Sequence, residues 1–295
     1  MAQSVSTSTR PPSIRNSPEF REYILLKIKT APWWLIGIAI IAVITAVTIA
    51  TNQPFQDAFL FIKAGLGVTI STTLIAFVFA MVLGLLTGLG RISNNTFFRN
   101  LATLYVEIIR GIPMLVLIFF IALVGVPAIV AGFKSLGVWF TENGMIGIGA
   151  WLSGFKNNAV PMNTRAIIAL SFTYGAFLAE IFRAGIQSIG RGQMEAARSQ
   201  GMSYWQAMRY IILPQAIRNV LPALGNDFIS MLKDSSLVSV LAVRDITQIA
   251  RLYAGRSFQY QEAYITLAVM YLTMTVLLSF LMKFIEKRIQ KNEQR

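Results

Sequence analysis

Four long stretches without a single charged side chain constrain this chain more than any other feature of its sequence. They contain between 20 and 27 residues each and cover 30–56, 64–90, 111–133 and 263–282. An α-helix rises about 1.5 Å per residue, so each stretch is long enough to cross the roughly 30 Å hydrocarbon core of a bilayer. We therefore predict a membrane-spanning helix in each of the four.

Two further apolar stretches, 164–188 and 213–241, are interrupted by charged residues. A charge at the centre of a bilayer costs about 2.5–3.5 kcal/mol even on a lenient scale, so these side chains must face protein or water. With these two stretches the sequence predicts an all-α integral membrane protein of about six transmembrane helices. The charged residues that interrupt them are Glu180 and Arg183 in the first and Arg218, Asp227, Lys233 and Asp234 in the second.

The composition agrees with a membrane location and excludes much enzymology. Hydrophobic residues make up 55% and charged residues 13% of the chain, against about 25% charged in a soluble domain. The chain has no Cys and no His, which rules out a thiol nucleophile, a disulfide, a Cys/His zinc site and an imidazole base. A membrane-embedded hydrolase would need a Ser-Lys or carboxylate pair, and the sequence shows no such arrangement.

The distribution of basic residues predicts the orientation in the membrane. A net charge of +13 would suggest a nucleic-acid partner in a soluble protein, but Lys and Arg of membrane proteins accumulate in cytoplasmic loops. Six spans place both termini on one face, and that face carries 15 basic residues against 7 on the opposite face. We predict a multi-pass protein with both termini in the cytoplasm. Its basic residues are expected to contact the lipid bilayer, and no nucleic-acid partner is expected.

The segment 193–214, cytoplasmic in this topology, contains signals for a helix, a sharp turn and a second helix. Its first part is rich in helix formers, and Gly201 is suited to a left-handed helix stop. Ser203 and Gln206 have the spacing of a capping box that starts the second helix, which meets Pro214 as it re-enters the membrane. Such a unit is accessible to a soluble partner.

This segment carries a family resemblance. The segment contains, in order, Glu195-Ala196-Ala197, a gap of three residues, Gly201, a gap of nine, Ile211, a gap of one and Leu213-Pro214. This pattern is similar to the EAA loop of ABC importer permeases. The flanks 174–187 and 222–237 resemble the polar amino-acid branch of that family. The resemblance implies that the loop seats in a groove of a separate cytoplasmic ATPase. It assigns this coupling to Glu195, Ala196, Ala197, Arg198, Gly201, Met202, Leu213 and Pro214.

The resemblance further implies a permease subunit of an ATP-driven importer of polar amino acids in the bacterial plasma (inner) membrane, forming the translocation pathway by alternating access. The chain lacks a G-x-x-x-x-G-K-[ST] phosphate loop, so we expect no catalysis and no cofactor here, and ATP-Mg in the partner. The implied partners are a cytoplasmic ABC ATPase dimer, a second permease subunit, identical or homologous, an extracytoplasmic solute-binding protein and a polar amino acid. The alternative is an ion-coupled secondary amino-acid transporter, whose intramembrane carboxylates would bind the coupling ion.

The resemblance covers about 61–285, so the chain is predicted to have four parts. A cleavable signal peptide is disfavoured, because the first span lacks a convincing small-residue cleavage site. The parts are a disordered basic cytoplasmic tail (1–32), an additional N-terminal transmembrane helix with an outer loop (33–60), the permease transmembrane domain (61–285) with its coupling loop (189–214) and an outer insertion (126–163), and a cytoplasmic C-terminal tail (286–295).

Three local patterns outside the loop also predict structure. Aromatic residues among many glycines in the outer insertion predict a helix or hairpin lying at the membrane interface, with a re-entrant pair as the alternative. The segment 242–260 predicts a short amphipathic outer helix. Gly84 and Gly88 form a G-x-x-x-G pattern that predicts close helix packing.

Two pairs of charged residues near the ends of spans are candidates for a gate. Glu107 with Arg110, and Glu180 with Arg183, each have the E-x-x-R spacing that places both side chains on one helix face. Pairing of Glu107 with Arg183, or of Glu180 with Arg110, would join two helices at one depth. Such pairing would form either a structural clamp or a cytoplasmic gate.

Polar residues in the 213–241 stretch are candidates for the substrate pathway. Asn226 and Asp227 lie about halfway along it, and Lys233 and Asp234 lie further toward the outer face. An amino acid carries an ammonium and a carboxylate, and a passage that offers both signs of charge suits it. The alternative is an internal salt-bridge network that holds the span in register.

Overall fold

The computed structural model describes residues 33–291, and within this range every regular element is a helix. The first elements are α1 (Trp33–Thr51), α2 (Gln53–Ile62), α3 (Leu66–Arg91), α4 (Thr96–Gly111), α5 (Met114–Phe120), α6 (Val126–Glu142) and α7 (Ile146–Ser153). They are followed by α8 (Met162–Gln187), α9 (Arg191–Ser199), α10 (Tyr204–Ala207), α11 (Leu213–Asp234), α12 (Ile246–Ser257) and α13 (Tyr260–Lys291). The all-α prediction is confirmed.

Four continuous helical segments in the described range are long and apolar enough to cross a membrane. They are Gln53–Arg91, Met114–Glu142, Met162–Gln187 and Tyr260–Arg288, and each contains most of one predicted span. The stretch at 213–241 is helical as α11 but falls outside this group, because Arg218, Asp227, Lys233 and Asp234 interrupt its apolar character.

The helix α1 belongs to a separate unit that ends at Thr51. The hydroxyl groups of Thr45, Thr48 and Thr51 each donate to the carbonyl oxygen four residues earlier, at 2.8 Å. These polar groups are therefore satisfied within the helix, as lipid contact requires. The predicted tail 1–32 lies outside the described residues, and the predicted C-terminal tail begins inside α13, which runs to Lys291.

The contact between α3 and α8 forms the core of the larger unit, and the two helices pack along most of their lengths. Small buried residues recur every four positions on α3, at Ala76, Ala80, Gly84 and Gly88. A Cβ atom on Gly84 would lie 2.7 Å from Cβ of Leu178, so only glycine permits this approach. The predicted role of the G-x-x-x-G pattern in helix packing is confirmed.

Two π-helical turns occur where proline enters a continuous helix. Ile121–Gly125 joins α5 to α6 just before Pro127, and Met208–Ile212 joins α10 to α11 just before Pro214. Proline lacks an amide hydrogen and crowds the carbonyl group four residues earlier, and a wider turn accommodates both effects. Because the first of these turns keeps the helix continuous, the segment that begins at Met114 reaches Glu142, well beyond the predicted start of the outer insertion at 126.

The outer insertion contains a helical hairpin in which α7 packs against α6, and its location at the membrane interface stays a prediction. Arg165 at the start of α8 fixes the chain that follows this hairpin. Its guanidinium group is buried and donates to the carbonyl oxygens of Asn157 at 2.6 Å, Val160 at 2.9 Å and Ala122 at 3.3 Å. No sequence pattern marks this role of Arg165, because its partners are backbone carbonyl oxygens.

The predicted short helix at 242–260 is present as α12. Asp245 caps it by accepting a hydrogen bond from the backbone N–H of Gln248 at 2.8 Å. The Asp245 side chain is fully buried, and this burial raises the pKa of the carboxyl group above its usual value. The N–H of Ile246 donates to Oγ1 of Thr69 at 3.1 Å, which attaches the start of α12 to α3.

Candidate functional site

Residues 191–214, which we call the EAA unit, form the predicted helix, turn and second helix. Gly201 follows α9 with a φ of +86°, in the left-handed region. The N–H of Met202 donates to the carbonyl oxygen of Ala197 at 3.2 Å, and the N–H of Gly201 donates to that of Arg198 at 3.0 Å. These are the two hydrogen bonds of a Schellman stop, which requires the left-handed residue that glycine supplies here.

The capping box that starts the second helix is also present. Oγ of Ser203 accepts from the N–H of Gln206 at 3.2 Å, and Oε1 of Gln206 accepts from the N–H of Ser203 at 2.8 Å. The turn between α9 and α10 is therefore held on both sides by hydrogen bonds within the unit. Local sequence therefore specifies the geometry of this turn.

An apolar cluster fastens the EAA unit to the membrane helices. Met208 and Ile212 of the unit are buried against Ile186 at the end of α8 and Ala216 at the start of α11. Met194 of α9 packs against the same cluster. Close-packed side chains therefore join α9 to α8 and α11.

The residues that the resemblance assigns to ATPase coupling differ in their exposure. Ala197 faces inward and is buried, whereas Met202 and Leu213 are half-buried. The remaining five are available to a partner on the outer side of the unit. These exposed residues are Glu195, Ala196, Arg198, Gly201 and Pro214.

The E-x-x-R pairs belong to one network centred on Glu180. Oε2 of Glu180 lies 2.7 Å from Nη2 of Arg183, and Oε1 lies 3.8 Å from Nη1 of Arg110. Oε1 also accepts a hydrogen bond from Arg91 at the end of α3. The network thus joins α3, α4 and α8, and the predicted cross-pairing of Glu180 with Arg110 is confirmed.

The other predicted cross-pair, Glu107 with Arg183, is wrong. The Glu107 side chain is 65% exposed and lies 3.4 Å from Nη2 of Arg91, whereas Arg183 pairs with Glu180 and hydrogen-bonds to Gln187. Arg91 was not among the candidate residues, because it ends an apolar span and its partner Glu180 lies 89 positions away in the sequence. The sequence signal for this role was the position of Arg91 at the end of a long charge-free run, where an E-x-x-R pair on another span could meet it.

The pathway candidates lie along one helix, α11. Asn226 and Lys233 are exposed, and Asp227 and Asp234 are half-buried. Oδ2 of Asp234 accepts a hydrogen bond from Oη of Tyr174 on α8 at 2.6 Å. Within residues 33–291, no ion pair joins Asp227, Lys233 or Asp234 to another charged side chain. An internal salt-bridge network among these three residues is therefore not seen in the described part of the chain.

Known proteins are similar to this chain in sequence and in fold. A family model described as binding-protein-dependent transport system inner membrane component matches residues 80–291. The probable glutamine ABC transporter permease protein GlnM of Bacillus subtilis (strain 168) is 39% identical over 224 residues, 76% of this chain and 91% of that protein. The arginine transport system permease protein ArtQ of the same organism is 30% identical, over 79% of this chain and 94% of that protein.

Among solved structures, the crystal structure of an amino acid ABC transporter with histidines superposes with a TM-score of 0.61 at 36% identity, over 79% of this chain and 95% of that one. The region matched by the family model contains the EAA unit, the Glu180 network and α11, and thus every candidate residue named above. The resemblance inferred from the loop is confirmed. This chain belongs to the family of inner membrane components of binding-protein-dependent transport systems.

Proposed function

We propose that this chain is the permease subunit of an ATP-driven importer of polar amino acids, and that α11 lines its translocation pathway. Relatives named for glutamine and arginine transport support a polar amino-acid cargo. The observation that carries the proposal is a row of polar side chains on α11, next to the EAA unit. The row consists of Asn219, Asn226 and Lys233, which we call the polar row.

The three members of the polar row share a face of α11. They are spaced by seven residues, which is within about 20° of two full helical turns. All three are exposed in this single chain. A lysine and two amides cannot face lipid at low cost, so this face requires water or protein. A second permease subunit that closes a water-filled passage against α11 satisfies this requirement.

The charges beside the polar row suit a zwitterionic solute. Asp227 and Asp234 offer carboxylates to an ammonium group, and Lys233 offers an ammonium to a carboxylate. The hydrogen bond from Tyr174 fixes the position of Asp234. Because these side chains form no ion pairs in the described part of the chain, their charges are available to a solute.

Energy enters this pathway through the EAA unit. The exposed side of the unit, with Glu195 and Arg198, docks in a groove of a cytoplasmic ATPase whose closure displaces α9. The apolar cluster around Met208 and Ile212 passes this displacement to α8 and α11. The pathway then opens alternately to the two sides of the membrane, and both termini lie in the cytoplasm.

Reconstitution tests the proposal against the ion-coupled alternative. The permease, its neighbouring ATPase and its solute-binding protein are placed in proteoliposomes with labelled polar amino acids. We expect uptake that requires ATP and all three components and that is unaffected by ionophores. Accumulation by the permease alone, abolished by an ionophore, would instead establish a secondary transporter.

We expect Asp227→Asn to lower uptake about tenfold at subsaturating solute, because a charge-assisted contact with the solute ammonium is lost. Complex assembly should be unchanged, since Asp227 has no ion-pair partner within residues 33–291. The measurement is initial uptake rate in proteoliposomes. Asp57→Asn is the matched control, because Asp57 is exposed and accepts a hydrogen bond from Gln53 on its own helix, at 2.9 Å. Normal uptake by the Asp227 variant would remove this residue from the pathway.

A further inference from the structure

A basic cavity lies beside the EAA unit, at the ends of α3 and α8. Its volume is about 610 Å³, and its lining includes the guanidinium-bearing residues Arg91, Arg99 and Arg191. Arg91 ends the apolar segment Gln53–Arg91, so the cavity is at the level where a span leaves the membrane. Among the described residues, Arg99 and Arg191 have no carboxylate within ion-pair distance, and both are exposed.

The start of α9 adds to the positive character of this cavity. Arg191 is the first residue of α9, and the preceding Gly190 offers no side chain to cap the free N–H groups. Gly190 and Arg191 both line the cavity. A helix N-terminus carries a partial positive charge, so a cation there is unfavourable unless an anion binds nearby.

An apolar groove continues from the basic cavity along α3. It has a volume of about 830 Å³ and shares Ile92, Tyr204 and Met208 with the basic cavity. At its other end it meets a third, apolar cavity of about 470 Å³, with which it shares Leu86 and Phe172. The three cavities therefore form one continuous groove that is basic at one end and apolar at the other.

The groove is long enough to hold a lipid that spans one leaflet of a bilayer. Its lining on α3 runs from Ile75 to Ile92, about 26 Å at 1.5 Å per residue. Half of a hydrocarbon core is about 15 Å thick. An amphiphile with one anionic end fits both the charge and the length of the groove.

We propose that this groove binds an anionic phospholipid of the membrane. The lipid phosphate lies between Arg99 and Arg191 at the start of α9, and the acyl chains lie along α3 toward Phe172. Basic pockets between helices at the cytoplasmic surface favour such headgroups over zwitterionic ones. The proposal rests on the membrane location and the cytoplasmic orientation of the EAA unit proposed above, but not on the identity of the cargo.

The bound lipid contacts the EAA unit directly. Tyr204, Trp205 and Met208 of the unit line the apolar groove, and Trp205 is 71% exposed in the chain alone. A lipid in the groove covers this indole and braces α10 against α3. The lipid thereby stabilises the segment that carries the force from the ATPase.

Quenching of Trp205 by brominated lipids tests the proposal. The chain has five tryptophans, and replacing Trp33, Trp34, Trp139 and Trp151 by phenylalanine leaves Trp205 as the single probe. The transporter complex is placed in phosphatidylcholine nanodiscs that contain a small fraction of brominated phosphatidylglycerol or brominated phosphatidylcholine. We expect a relative binding constant about tenfold higher for phosphatidylglycerol.

Two variants and a control locate the site. The double variant Arg99→Gln with Arg191→Gln should abolish the preference for phosphatidylglycerol. Arg191→Gln alone should weaken this preference; it removes an exposed side chain that has no ion-pair partner in residues 33–291. Lys283→Gln with Lys287→Gln removes the same charge from exposed positions that line none of the three cavities and should leave it intact. Three outcomes would overturn the proposal. They are equal quenching by both lipids, no quenching because another protein fills the groove, and a preference for phosphatidylglycerol that survives the loss of both arginines. Since the readout is lipid binding, it is independent of transport.

Discussion

Replacing Gly201 by valine should reduce ATP-driven uptake to less than about a tenth while leaving membrane insertion intact. Gly201 has a φ of +86°, and no atom lies within 4 Å of an added Cβ, so the penalty arises from the backbone conformation and not from a clash. A left-handed conformation costs an ordinary residue about 1–2 kcal/mol, and a β-branched side chain tolerates it worst. The Schellman stop must then open, and α9 loses its fixed angle to α10.

Two variants show whether the turn itself matters. Gly192→Val adds the same side chain to the same unit, at an exposed helical position with no atom within 4 Å of the new Cβ. It should transport normally. Gly201→Asn should retain most uptake, because asparagine adopts the left-handed conformation readily. The measurements are ATP-dependent uptake and ATPase stimulation by the loaded binding protein; if Gly201→Val matches Gly192→Val in both, the EAA unit is not the coupling element.

The helices and caps of the EAA unit could be predicted because their signals are local. The Schellman stop and the Ser203 capping box each depend on residues within five positions of one another. The charge-free spans could also be predicted, because a charge inside the bilayer is costly and a run of about 20 residues without one is visible in the sequence. Four helical segments in the described residues are long and apolar enough to cross a membrane. The helix α11 departs from this pattern where its polar row requires water or protein.

Long-range partners could not be predicted in the same way. Arg91 and Glu180 are 89 positions apart, and the approach of α3 to α8 at Gly84 brings them together. Arg165 is satisfied by backbone carbonyl oxygens, which every residue possesses and no sequence pattern marks. The sequence therefore identified which charges lie at the membrane boundary but could not assign their partners.

Glu180→Gln should lower the stability of the permease more than any other single change in its charge network. The Glu180 side chain is 19% exposed and lies among Arg91, Arg110 and Arg183. Without its charge three guanidinium groups face one another across α3, α4 and α8. Removing one partner of a fully buried pair costs about 3–5 kcal/mol, and partial exposure reduces this to about 2 kcal/mol. For a domain of this size that corresponds to an apparent melting temperature lower by about 4–8 °C.

Neighbouring substitutions separate a clamp from a gate. Arg183→Gln should cost less, because Glu180 keeps Arg91 and Arg110, and Glu107→Gln should cost almost nothing, since that side chain is 65% exposed. Thermal unfolding of the purified complex measures this order. A clamp predicts that stability falls while ATPase activity still depends on solute. If Glu180→Gln instead keeps full stability and hydrolyses ATP without solute, the network is a gate, because its three arginines then restrain a moving helix and not the resting fold.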